Sequence, residues 1–191
     1  MRYEKGRKDA SRRRILEVAA ERFRSDGIAA SGLAGIMSEA GLTNGAFYPH
    51  FRSKEELVRD SVAGTIDAQT GRLLDRLDAG GLDAVITAYL SPQHRDDAAN
   101  GCAAAALLPE LARQPVKTRR ACAERLHATV RALAEALPPG TEDREDTALG
   151  LYATLIGALQ LARATKGTPL SDHALAAGAE AARRLIEAPR G

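Results

Sequence analysis

Between its glycine and proline stops this chain repeats apolar residues at spacings of three and four, and nowhere does it alternate β-branched with polar residues. Three-and-four spacing puts the apolar side chains on one face of a helix. The apolar set is mostly Ala and Leu, both strong helix formers, so an all-α fold without strands is expected. At 191 residues and 45% hydrophobic content, the chain can bury one large core or two small ones, which excludes the disordered and fibrous classes. The basic N-terminus is not followed by an apolar signal region, and no run of about 18 apolar residues appears. A soluble, cytoplasmic protein with no membrane partner is expected. Cys102 and Cys122 are too few for a disulfide framework or a zinc site, so no metal or cofactor is expected.

Taken in order, Ile15, Val18, Ala19 and Phe23 mark a first helix over 11–26, stopped by Gly27. Ser31 can cap a short second helix carrying Leu33, Ile36, Met37 and Ala40, and Gly41 ends it. A third helix must begin near Thr43 or Asn44. Two short helices across a tight Gly-containing turn are the helix-turn-helix pattern, which presents its second helix to the DNA major groove. Phe47 and Phe51, four apart, point inward, while Asn44 and Tyr48 share another face. Ser53 and Glu56 read as a capping box that opens a fourth helix, with Lys54 beside its exposed N–H groups, a place favourable to a phosphate.

Charge is concentrated at the start. Residues 1–14 hold seven basic side chains (Arg2, Lys5, Arg7, Lys8, Arg12, Arg13, Arg14) against Glu4 and Asp9, a local +5 in a chain of net +2. Such an arm suits a polyanion, the alternative being a solvated tail.

The run GLTNGAFYPHFRSKEEL, following the helix at 11–26 and the segment GIAASGLAGIMSEA, closely resembles the DNA-binding domain of the TetR/AcrR family of transcriptional regulators. The likeness covers roughly residues 11–60 and lies in the Gly41 turn, Phe47-Tyr48, His50-Phe51 and Ser53-Lys54 at fixed spacing. It implies an α-helical homodimer with a helix-turn-helix domain at 1–60 and an effector-binding and dimerisation domain at 61–191, about nine helices in all. It implies repression of a pseudo-palindromic double-stranded DNA operator, relieved by a small-molecule effector. By the same resemblance Thr43, Tyr48, His50 and Lys54 are phosphate contacts, and Asn44, Gly45 and Ala46 read bases. Asn44 suits bidentate adenine recognition, Gly45 close backbone approach, and the Ala46 methyl a thymine methyl.

Two departures qualify the likeness. Pro49 removes a backbone donor and crowds the Gly45 carbonyl, which costs about 3 kcal/mol inside a regular helix, so a short or kinked third helix is expected. At the start of the second helix Gly32, Leu33, Ala34 and Gly35 stand where many relatives carry hydroxyl or basic groups. That leaves Ser31 as the main side-chain contact there, with the basic arm compensating.

Beyond residue 60 a long fourth helix is expected up to Gly80-Gly81, a fifth over 82–90, and a polar connection over 91–100. The stretch YLSPQHRDDAANGCAAAALLPELAR is similar to one TetR subgroup in which a Gly-Cys pair opens a sixth helix. Pro109 is expected to interrupt that helix, and Pro115 to start a seventh reaching Leu137. The last two helices, the ninth capped by Ser171, are rich in Gly and Ala and implied to pair with a second copy. The effector pocket is expected among helices four to eight. Its polar candidates are Tyr89, His94, Cys102, His127 and Tyr152, with Leu107, Leu108, Leu111, Leu126, Val130 and Leu155 as walls. Cys102 at a helix start is placed either for thiol reactivity or as a small buried hydrophobe. Without a nucleophile elbow, a phosphate-binding glycine loop or a paired-carboxylate site, no enzyme is expected. The rival reading is a helical DNA-binding architectural or interaction protein without an effector, which predicts no apolar cavity.

Overall fold

The computed structural model describes residues 2–187, and side chains from residue 6. Arg2 and Lys5 of the basic arm therefore have side chains outside the described residues. The described chain is all-helical: α1 (Arg2–Asp26), α2 (Leu33–Glu39), a 3-10 turn (Asn44–Ala46), α3 (Lys54–Tyr89), α4 (Pro92–Asp96), α5 (Ala103–Leu111), α6 (Val116–Glu135), α7 (Arg144–Ala164) and α8 (Pro169–Glu187). Eight α-helices and one short 3-10 turn take the place of the nine helices expected.

Most differences lie at boundaries. The basic arm is helical from Arg2 onward, continuous with α1. Helix α3 runs through the two glycines, but Gly80 (φ −164°, ψ 16°) and Gly81 (φ 67°, ψ −163°) leave helical geometry, so two straight arms meet at the expected break. Gly81 has a positive φ that glycine adopts without a Cβ clash. The polar connection contains the short α4, whose cap is Ser91 accepting from the His94 N–H at 3.2 Å. Helix α5 carries Pro109 within it and continues to Leu111. Ser171 is not a cap, because α8 already starts at Pro169. Its buried hydroxyl donates to the Ala162 carbonyl at 2.7 Å instead, fastening α8 to the end of α7.

Two cores result. The first joins Ile15, Val18, Phe23, Ile36, Met37, Phe47 and Phe51 to Leu57, Val58, Val62 and Ile66 of α3. Leu107 and Leu111 of α5 and Cys122 of α6 complete it. The second is built mostly of Leu, Ile, Val and Ala from the distal arm of α3 and from α5 to α8, with Ile86, Leu133, Leu151, Leu155 and Leu159 fully buried. The tightest pairing is α7 against α8. There a Cβ on Gly178 would stand 2.3 Å from that of Ala158, so this glycine serves packing within one chain.

Candidate nucleic-acid interface and effector cavity

The head is organised by its phenylalanines. Phe47 and Phe51 are almost completely buried and stack with ring centroids 5.5 Å apart, as the four-residue spacing predicts. Arg12 closes this core from α1, its guanidinium 4.8 Å over the Phe51 ring and 2.7 Å from the Asp60 carboxylate. Arg12 is thus engaged within the protein, whereas Arg7, Lys8 and Arg13 are exposed.

The third helix is reduced, for the reason Pro49 supplies. Only Asn44–Ala46 forms a 3-10 turn. The chain then closes a looser turn in which the Phe47 carbonyl accepts from both the His50 N–H (2.9 Å) and the Phe51 N–H (3.0 Å). Proline has no N–H to give the Gly45 carbonyl, so the i to i−4 ladder cannot pass through it. The turn nevertheless sorts its side chains as a helix would. Thr43, Asn44 and Gly45 are exposed and Ala46 is half-buried. Tyr48 is 72% exposed, edge-on to Phe47. His50 is half-buried with its Nδ1 enclosed and unpartnered. Desolvation, followed by the nearby Lys8 and Arg12 charges, lowers its pKa below the usual histidine value.

Two expected phosphate contacts are placed differently. Ser31 is fully buried; its hydroxyl donates to the Gly27 carbonyl at 2.7 Å, and α2 is capped by Gly32 without a side-chain bond. Ser31 therefore acts inside the head, because the turn after α1 needs its carbonyls satisfied. The Lys54 ammonium donates to the Ile28 carbonyl at 2.8 Å, which anchors it beside the same turn. Ser53 caps α3 by accepting from the Glu56 N–H at 3.3 Å, while the Glu56 carboxylate reaches back to the Arg52 N–H at 2.8 Å. The capping box is present, shifted by one residue at its return bond.

The turn after α1 is also where the body grips the head. Glu110 of α5 accepts from the Ile28 N–H at 3.1 Å and the Ala29 N–H at 2.9 Å. Gly27, at φ 88°, lets that carboxylate approach, since a Cβ there would lie 2.7 Å from its oxygen. Arg24 reaches from α1 to the Ala99 carbonyl. Gln69 of α3 clamps the next residues, donating to the Gly101 carbonyl at 2.6 Å and accepting from the Ala103 N–H at 3.0 Å.

That clamped loop is one wall of a cavity of about 310 Å³. The opposite walls are Ile66, Arg72, Leu73 and Arg76 on α3, Thr129 and Leu133 on α6, and Tyr152 and Leu155 on α7. Tyr89, His94, Cys102, Tyr152 and Leu155 line it as the sequence suggests. The other candidates do not. Leu111 and Leu107 are buried in the head's core, and Leu108, Leu126 and Val130 pack in the cores without lining the cavity. His127 is exposed and paired with Glu145 on the outer surface. Cys102 is the N-cap residue of α5, its sulfur 3.9 Å from the Tyr152 hydroxyl. His94 is a staple: its Nδ1 donates to the Tyr89 carbonyl at 2.7 Å, its Nε2 accepts from the Cys102 N–H at 3.0 Å, and burial lowers its pKa. Gln69, Arg72, Arg76 and Thr129 were not anticipated; Gln69, Arg72 and Arg76 follow one another along α3 at helical spacing and were the legible signal. Among the described residues no cluster of three or more His, Cys, Asp or Glu could hold a metal, and no helix is long and apolar enough to cross a membrane.

A helix-turn-helix head is gripped by a helical body that encloses a cavity. Residues 15–60 match the family described as bacterial regulatory proteins, tetR family. The chain is similar to HTH-type transcriptional repressor KstR2 of Mycobacterium tuberculosis, 35% identical over 74 residues covering 39% of this chain and 37% of that one. It is also similar to KstR2 of Rhodococcus jostii, 34% identical over 80 residues, 42% of this chain and 39% of that one. The chain thus spans less than two fifths of the curated repressors it matches. The whole fold is similar to that of reduced NemR of E. coli (TM-score 0.79, 21% identity, 95% of this chain and 100% of that one). It is also similar to Bacillus subtilis FadR in complex with stearoyl-CoA (TM-score 0.64, 16% identity, 91% and 97%).

Proposed function

We propose that the chain is a ligand-responsive, DNA-binding transcriptional repressor whose operator is a pseudo-palindrome. The observation that carries this is the sorting of the 44–51 turn: phenylalanines buried beneath, with Asn44, Gly45 and Tyr48 exposed above. Asn44 to Ala46 read bases, while Thr43, Tyr48 and His50 position the head on phosphates, with Arg7, Lys8 and Arg13 adding attraction and Lys54 holding the turn after α1. The naming of the KstR2 relatives as repressors and the acyl-CoA in FadR favour repression and an organic effector. The chain divides at about residue 60 into the DNA-binding unit and the effector and dimerisation unit.

The active species is a homodimer through α7 and α8. On α7 the exposed Leu149, Ala153, Leu161 and Ala164 share a stripe with Gly150 and Gly157, at which an added Cβ would meet nothing within 4 Å. Two heads then address half-sites at least about one DNA turn apart. Release follows from the bonds described above. An occupant of the cavity presses on α3 and on the loop that Gln69 and Arg24 hold, and the shift passes to the head through Arg24 and through Glu110. Affinity for operator falls by the occupant's preference for the shifted state. The cavity favours this reading over an architectural protein without an effector. Selection of duplexes from random DNA by the full chain tests it: a palindromic consensus that Asn44→Ala relaxes supports the reading, and recovery of unrelated sequences refutes it.

A further inference from the structure

The polar groups around the cavity divide into those already satisfied and those that are not. Gln69 and His94 use both their polar atoms, as described above. The Thr129 hydroxyl shares a 2.8 Å hydrogen bond with Thr70, Ser91 caps α4, and the Asp97 carboxylate accepts from the Asn100 backbone and side-chain N–H groups at 3.1 Å. The unsatisfied set is Tyr89, Tyr152, Arg72 and Arg76, together with the exposed Gln93 amide, which alone among them offers a strong acceptor as well as donors. Among the described residues the buried Tyr89 hydroxyl has no hydrogen-bond partner, and the Tyr152 hydroxyl meets only the distant Cys102 sulfur. Arg72 and Arg76, one turn apart at the mouth, are exposed and make no hydrogen bond or ion pair among the described residues. Guanidinium groups only donate, and both phenols are protonated donors because burial raises their pKa values well above the usual phenol range.

Charge points the same way. Arg24 and Arg163 stand behind the loop, donating to the carbonyls of Ala99 and of His94 and Arg95. Desolvation lowers the pKa of both, and the neighbouring Arg72 charge lowers that of Arg24 further, although Glu21 and Asp97 partly offset this. Asp97 is the one carboxylate in the lining, against Arg72 and Arg76 there and two more guanidiniums behind. Cations crowded beside an apolar cavity favour an anion.

We propose that the cavity takes an organic anion with a rigid apolar body, an oxygen acceptor at its inner end for Tyr89 and Tyr152, and a carboxylate at its mouth for Arg72 and Arg76. Leu73, Val85, Leu133 and Leu155 hold the body. This rests on the reading of the cavity as the effector site.

Calorimetric titration of the full chain with 6-hydroxy-2-naphthoate, 2-naphthoate and 6-hydroxy-2-naphthamide tests it. The hydroxy acid binds about fivefold tighter than its amide, and Arg72→Gln/Arg76→Gln abolishes that preference. The hydroxy acid also binds about tenfold tighter than 2-naphthoate, and Tyr89→Phe removes the difference. Both positions tolerate these changes, the arginines because they are exposed and the tyrosine because its ring is kept. An amide that binds as well as the acid, an acid preference that survives in the arginine variant, or no binding by any of the three overturns the proposal. Release of a selected duplex is read separately. Binding of the acid without release leaves the anion site standing and sinks the effector reading, whereas release by the amide and not by the acid does the reverse.

Discussion

The head and the body bury their apolar surface by different means. In the head three nearly inaccessible phenylalanines, Phe23, Phe47 and Phe51, fill a small volume with rigid rings. In the body the core is Leu, Ile and Ala on long helices, and it leaves a cavity lined by residues from three of them and an irregular loop. Aromatic packing fixes the orientation of the 44–51 turn even though Pro49 prevents a regular helix. Packing with small aliphatic residues lets α7 and α8 approach closely and leaves room beside α3.

The largest effect that would break this contrast is at Phe51. Phe51→Ala removes the ring on which both Phe47 and Arg12 rest and should destabilise the head by about 4 kcal/mol, seen as an early transition in denaturant while the body's helices persist. One cooperative transition shared by head and body would instead mean that the two cores fold as one. Next, Asn44→Ala leaves every buried contact in place and should weaken operator binding by about 2 kcal/mol, with relaxed preference at one base pair of each half-site. Loss of affinity without loss of selectivity would move Asn44 from the bases to the backbone.

A smaller effect sharpens the link between the regions. Glu110→Gln keeps shape and one acceptor but loses the charge that holds the Ile28 and Ala29 N–H groups. It should cost about 1 kcal/mol and speed hydrogen exchange of those two amides, with the cavity's affinity for an occupant unchanged. Unchanged exchange would show that the carboxylate does not hold the turn.

The smallest effect is the pH response of His50. Its folded pKa lies below the unfolded value, so its contribution to stability is present above the unfolded pKa and is lost as pH falls through the folded one. Operator binding has the opposite sign: a phosphate favours the protonated ring, so affinity rises as pH falls through that pKa. His50→Gln should flatten this slope in binding titrations at fixed salt, and a slope that persists would assign it elsewhere.

The head was legible because its signals are local. The four-residue spacing of Phe47 and Phe51, the stop at Gly27 and the cap at Ser53 each act within a few residues, and even the reduced third helix followed from the chemistry of Pro49. Ser31 misled because its hydroxyl answers carbonyls of the preceding turn, a choice that depends on how α1 ends. In the body, Tyr89, Cys102 and Tyr152 could be chosen by residue type. Leu108, Leu111 and His127 could not be sorted, because facing the cavity, the head or solvent depends on how α5 and α6 rotate against α3. Glu110 was invisible for the same reason: its partners lie some eighty residues away.

On the proposed function, occupation of the body's cavity weakens the head's hold on DNA. The direct measurement is fluorescence anisotropy of a labelled, selected duplex titrated with the full chain. It is made alone and with a saturating compound that binds the wild-type chain but not a Leu133→Trp variant. Operator affinity should be at least about tenfold weaker when the cavity is filled, with the reciprocal loss of compound affinity when DNA is bound. Identical operator affinity with and without the compound would contradict it.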